Sequence, residues 1–136
     1  MTYAGDLSPQ QTWEGLVSDP QAVLVDVRTQ AEWAFVGVAD LTAIGKEMVP
    51  IEWSSFPTGT LNGAFLQQLH EAVPLQAPVY FLCRSGARSA AAAEAATAAG
   101  WTSAYNVLDG FEGPVDEQGH RSVAGWKQAG LPWRQG

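Results

Sequence analysis

Pro78-Val79-Tyr80-Phe81-Leu82-Cys83-Arg84-Ser85-Gly86-Ala87-Arg88-Ser89 carries the only cysteine of the chain and changes from apolar to charged at that residue. Pro78 to Leu82 reads as a strand that runs straight into the thiol. From Ser89 a small-residue run continues through Ala90 to Ala99, which predicts a helix. Strand, tight loop and helix in immediate succession point to an α/β layer. In a parallel layer the carboxyl ends of the strands are where ligands bind, and Cys83 falls at such an end.

The residue types of the loop argue for chemistry. Gly86 supplies the permissive backbone position that the sharp turn from Cys83 to Arg88 requires. A loop curled as a cradle aims several backbone N–H groups at one centre, and the helix N-terminus behind it adds partial positive charge. Arg84 and Arg88 add full charges. All of these favour a thiolate, so a nucleophilic Cys83 facing an oxyanion pocket is expected. An inert core cysteine would have to bury the two flanking charges or point both away.

Size and composition set bounds. A chain of 136 residues fits one domain, residues 1–136, with a core that needs no disulfide or metal staple. A single cysteine excludes an internal disulfide and fits a reducing compartment. The polar start Met1-Thr2-Tyr3-Ala4-Gly5-Asp6 lacks the layout of a signal peptide, and no apolar run is long enough for a membrane span, so a cytoplasmic protein is expected. A net charge of −7 argues against a nucleic-acid partner. Two of only seven basic residues flank Cys83, a basic focus suited to a small anionic substrate. No cofactor is implied, and His70 has no partners at metal-ligand spacing, so no metal is expected.

Taken in order, Ser8-Pro9-Gln10-Gln11 opens a helix as a capping box with proline in the first turn, and Trp13, Leu16 and Val17 form its buried face. Ala22 to Val27 reads as a buried strand. Asp26 near its end is expected to tie loops together rather than to act in catalysis. Arg28 and Glu32 either pair with each other or anchor neighbouring loops. Thr29-Gln30-Ala31-Glu32 is a second capping box, opening a short helix that carries Trp33. Val36 to Val38 reads as a brief strand and Asp40 to Thr42 as a turn. Met48 to Trp53 reads as a strand that starts behind a proline, hence an edge strand. Ser54 to Thr60 is a loop at the end of the sheet where Cys83 lies. Asn62 is expected to cap a helix carrying Phe65, Leu66, Leu69 and Val73, with His70 on its surface. Gly100 closes the alanine helix, and Ala104 to Leu108 forms the next strand. Phe111 after it is either a wall of the cysteine pocket or a core plug. Residues 112–136 form a turn-rich tail with a short helical stretch at Trp126 and Lys127, and its tryptophans imply packing against the body.

Strand, then Cys83 to Ser89, then helix, resembles the active-site loop of the rhodanese-like sulfurtransferases. Leu24-Val25-Asp26-Val27-Arg28 with Glu32 resembles the first-strand motif of that family, and Gly110-Phe111 its closing loop. The region Trp33 to Asp40 departs from the family, lacking its usual histidine and proline. The resemblance implies a three-layer α/β/α domain with a central parallel five-stranded sheet. It implies transfer of a sulfane sulfur from thiosulfate or another persulfide donor, through a Cys83 persulfide, to a thiophilic acceptor such as cyanide, a thiol or a protein thiol carrier. Arg84, Ser85, Gly86, Ala87, Arg88 and Ser89 would surround the donor, with Asp26, Arg28, Glu32 and Phe111 in support. Arg88 either contacts the donor or clamps the loop from behind. Two other classes use similar logic: a non-catalytic binding or redox-sensing module, and a cysteine-based phosphatase or arsenate reductase. The second needs five residues between cysteine and arginine, where Arg84 to Ala87 is four.

Overall fold

The computed structural model describes residues 3–55, 58–114, 117–119 and 124–135. Phe56 and Pro57 of the predicted loop, and Val115, Asp116, His120 and Arg121 of the tail, lie outside the described residues. In chain order the elements are β1 (Gly5–Leu7), α1 (Pro9–Ser18), β2 (Val23–Asp26), α2 (Gln30–Phe35), β3 (Val38–Ala39), a 3-10 turn (Thr42–Ile44), β4 (Val49–Pro50), α3 (Phe65–Ala72), β5 (Val79–Leu82), α4 (Ala87–Ala98), β6 (Ala104–Val107) and β7 (Trp133–Arg134).

Five strands form a parallel sheet in the order β1-β6-β5-β2-β4. The central strand β5 is apolar and buried throughout because both of its faces are covered. Alternation along β5 divides the core. Val79, Phe81 and Cys83 face α3 and the small side of α4, whereas Tyr80 and Leu82 pack with Leu16 of α1 and with Phe111, Trp126 and Leu131 beyond β6. Helices therefore cover both faces, as a three-layer α/β/α domain requires. Ser89, Ala92, Ala93 and Ala96 are the buried residues of α4, spaced as one helical stripe. Their small side chains bring the helix axis close to the sheet.

Both capping boxes form. Ser8 Oγ accepts from Gln11 N and Gln11 answers to Ser8 N; Thr29 and Glu32 do the same for α2. Several expectations are corrected. Val17 is 55 % exposed, and Thr12 takes its place in the buried face of α1 because it lies one turn before Leu16. Leu66 is likewise exposed. Asn62 does not cap α3; its Oδ1 accepts from Ala64 N in a turn just before the helix, and Ala64 is the N-cap residue. The brief strand is Val38–Ala39, not Val36 to Val38, since it pairs antiparallel with β7 at the tail. The edge strand shortens to Val49–Pro50, although Ile51 and Trp53 still donate to Asp26 O and Val27 O. Trp126 and Lys127 lie in turns, not in a helix, because their N–H groups bond Gly110 O and Phe111 O instead of a helical ladder. The edge strand β1 was not legible in the polar N-terminal residues.

Candidate active site

β5 delivers four buried residues and then Cys83, a free thiol only 1 % exposed. α4 begins at Ala87, two residues earlier than its composition suggests, so Ala87, Arg88 and Ser89 form its first turn. The connection is therefore Arg84, Ser85 and Gly86. Gly86 is the N-cap residue at φ 121°, a conformation that strains any side-chain-bearing residue. This geometry aims its N–H at the sulfur, with Gly86 N 3.0 Å from Cys83 Sγ. The thiol thus sits at the positive end of a 12-residue helix.

The loop is strapped from the side by the segment that follows β6. Phe111 N donates to Cys83 O at 2.8 Å, and Glu112 N and Gly113 N donate to Arg84 O at 3.0 and 3.1 Å. Gly110 lies so close that a Cβ there would collide with the carbonyl oxygen of Cys83. The glycine is thus required by proximity as well as by its φ of 59°.

A polar chain runs behind the thiol. Cys83 Sγ lies 3.1 Å from Ser89 Oγ, which also reaches Asn106 Oδ1; Asn106 Nδ2 donates to Asp6 Oδ1 at 2.9 Å, and Tyr3 donates to the same oxygen at 2.7 Å. The hydrogen bond to Asp6 holds the Tyr3 phenol above its ordinary pKa. Asp6 also fixes the amide: turned the other way, Asn106 would set an oxygen against a carboxylate. Neither Asn106 nor Asp6 emerges as a site residue from sequence reading. The available signal was an asparagine inside an apolar strand, a position that such residues avoid unless partnered.

Asp26 and Arg28 form a pair with no exposed side-chain surface, Arg28 Nη2 to Asp26 Oδ2 at 2.7 Å. Arg28 Nη2 also donates to Gly37 O at 2.8 Å, and its guanidinium lies 4.3 Å from the Phe111 ring centre. Arg28 and Glu32 do not pair with each other; they anchor separate loops. Glu32 instead takes Arg88 in a two-pronged pair at 2.7 and 3.0 Å while accepting from Thr29. Burial pushes the Glu32 carboxyl up, but the bonds from Arg88 and Thr29 outweigh it and leave it below its ordinary value. The same pair raises the Arg88 guanidinium. Phe111 is fully buried beneath the tail, a core plug rather than a pocket wall.

A cavity of about 480 Å³ opens beside the loop, bordered by Arg84, Arg88, Glu32, Glu112, Phe35 and Ser55 among others. Ser85 and Ala87 are exposed, and Cys83 lies beneath the loop instead of on the cavity wall. Among the described residues no three His, Cys, Asp or Glu side chains cluster as metal ligands, and no helix is long and apolar enough to cross a membrane.

Residues 4–136 match the family described as the STR4 middle domain. The chain belongs to the rhodanese-like family. The Mycobacterium tuberculosis protein Rv0390, whose crystal structure is solved, superposes with a TM-score of 0.92 at 59 % identity, covering 98 % of this chain and 99 % of that one. An uncharacterized protein of Rickettsia rickettsii is 37 % identical over 124 residues, 91 % of this chain and 92 % of that protein. The chloroplastic rhodanese-like domain-containing protein 4 of Arabidopsis thaliana is 30 % identical over 128 residues, where this rhodanese-like chain matches 25 % of the plant protein. The rhodanese-like fold with its buried cysteine is consistent with a sulfurtransferase-type active site.

Proposed function

We propose that this rhodanese-like protein is a sulfurtransferase that carries a sulfane sulfur on Cys83. The carrying observation is the free thiol at the carboxyl end of β5, with Gly86 N–H on its sulfur and Arg84 and Arg88 on the wall of the adjoining cavity. Its donor is thiosulfate or another persulfide donor, its acceptor cyanide, a thiol or a protein thiol carrier, and its setting the cytoplasm. Residues 1–136 act as one domain, with 112–136 as the closing tail.

In the first step the Cys83 thiolate attacks the outer sulfur of thiosulfate. A sulfur–sulfur bond forms, the bond to the sulfonate sulfur breaks, and sulfite leaves with the electron pair. In the second step the acceptor nucleophile attacks the terminal sulfur and returns the Cys83 thiolate. The helix N-terminus and the Gly86 N–H stabilise the anionic sulfur in both states. Arg84 faces the donor, whereas Arg88 is engaged by Glu32 and holds the loop against α2. Because Cys83 is 1 % exposed, sulfur transfer requires the loop to open toward the cavity before the sulfur is reached. That same burial favours one second reading, a non-catalytic binding or redox-sensing module.

The reduced protein incubated with thiosulfate should gain one sulfur, about 32 Da, by intact mass, and cyanide should discharge it. Cys83→Ala should gain nothing. Failure of the parent protein to load, with its thiol shown to be reduced, would sink thiosulfate as donor. Failure also with an organic persulfide donor would leave the module.

A further inference from the structure

We propose that Glu112 makes this site discriminate against small dianions in favour of a monoanionic sulfane-sulfur donor with an organic body, a thiosulfonate or organic persulfide. The inference rests on the sulfur-transfer reading and narrows it. Four charged residues line the cavity beside the cysteine loop: Arg84, Arg88, Glu32 and Glu112. Each cation already has a carboxylate. Arg88 is committed to Glu32 at 2.7 Å, and Arg84 Nε lies 3.4 Å from Glu112 Oε2. The basic focus expected from the sequence is thus cancelled within the cavity itself.

Glu112 cannot easily withdraw. Its own N–H is bonded to Arg84 O at 3.0 Å, and its side chain is 19 % exposed against 49 % for Arg84. A donor reaching for Arg84 must do so beside this carboxylate, and the repulsion scales with the donor's charge. The net charge of −7 adds a penalty of the same sign for approach from solvent. A dianion bears both costs twice over relative to a monoanion.

The remaining wall favours carbon. Ala31, Phe35 and Val36 line the same cavity, and Phe35 at the end of α2 is 79 % exposed. A volume of about 480 Å³ lies in the range that encloses organic ligands and far exceeds the needs of thiosulfate. Phe35 gives an aromatic or aliphatic body something to lie against.

The test compares kcat/KM for thiosulfate and benzenethiosulfonate with one acceptor. With the second donor the Cys83 thiolate bonds to the sulfane sulfur, the bond to the sulfonyl sulfur breaks, and benzenesulfinate leaves with the electron pair; no outside oxidant or reductant is needed. The unaltered protein should favour benzenethiosulfonate. Glu112→Gln should raise kcat/KM for thiosulfate about fivefold and for the other donor only about twofold, because the repulsion it removes scales with donor charge. Phe35→Ala should lower benzenethiosulfonate about fivefold and leave thiosulfate within about twofold. A parent protein that favours thiosulfate, or a ratio unmoved by Glu112→Gln, overturns the proposal while sulfur transfer stands. Sulfur loaded from neither of these donors nor from an organic persulfide overturns the sulfur-transfer reading itself.

Discussion

Arg28 and Arg88 are each gripped by a carboxylate through two-pronged hydrogen bonds, and the two grips differ in kind. Asp26 and Arg28 are two residues apart, meet with no exposed side-chain surface, and are capped by the Phe111 ring. Glu32 and Arg88 are 56 residues apart and meet at the cavity wall, with side chains 19 % and 26 % exposed. The first pair comes from one strand end and sets the local backbone, through Arg28 N to Asp26 Oδ1 and Arg28 Nη2 to Gly37 O. The second joins the start of α2 to the start of α4. A buried pair is costly to break because one charge is left without water or partner; a wall pair keeps access to solvent. One arginine thus braces a strand end inside the core, and the other holds the cysteine loop at the cavity wall.

Breaking each grip in turn tests that contrast. Asp26→Ala strands Arg28 in the core and should cost about 3–5 kcal/mol in urea unfolding. Replacing both partners, Asp26→Leu with Arg28→Met, should recover most of that loss; no recovery would mean that the hydrogen bonds to backbone, not the charge pairing, carry the stability. Gly110→Ala sets a Cβ against Cys83 O and should cost about 2–3 kcal/mol, with slower sulfur loading in the protein that remains folded. Glu32→Gln should cost only about 1–2 kcal/mol, because its pair is partly screened.

The Glu32 effect should also depend on pH. Its folded carboxyl is held below the ordinary value of 4.5, so its contribution is fully present above that value and lost as pH falls through the lowered one. The stability gap between the parent and Glu32→Gln should therefore be widest near neutrality and shrink in acid. A gap that stays constant to pH 3 would show that the side chain acts through the α2 cap alone. The smallest expected effect is Val17→Ser on the exposed side of α1, within about 0.5 kcal/mol by thermal unfolding.

What could be read ahead of the structure was local. The two capping boxes are contained in four-residue spans, and the apolar run before Cys83 declares a strand covered on both faces. The alanine run declares a helix, but so uniform a run does not mark which residues form its packed stripe. Misplaced features depend on distant partners. β1 exists because Asp6 and Leu7 find β6, and β3 because Val38 and Ala39 find Arg134 and Trp133. Arg28, with acidic residues on either side, could not be assigned from spacing. The choice of Asp26 came from burial against Phe111, which lies over 80 residues later in the chain.

From residues alone came the strand, loop and helix around Cys83, the two arginines beside it and the alternating α/β plan, because backbone propensity, capping and periodicity act over a few residues. Only the tertiary structure decided that the thiol lies beneath its loop on Ser89, that Asn106 and Asp6 stand behind it, and that Glu32 and Glu112 neutralise the arginines at the cavity. Such pairings are settled by which groups folding removes from water together, and desolvated charges take whatever partner the packed chain brings within reach.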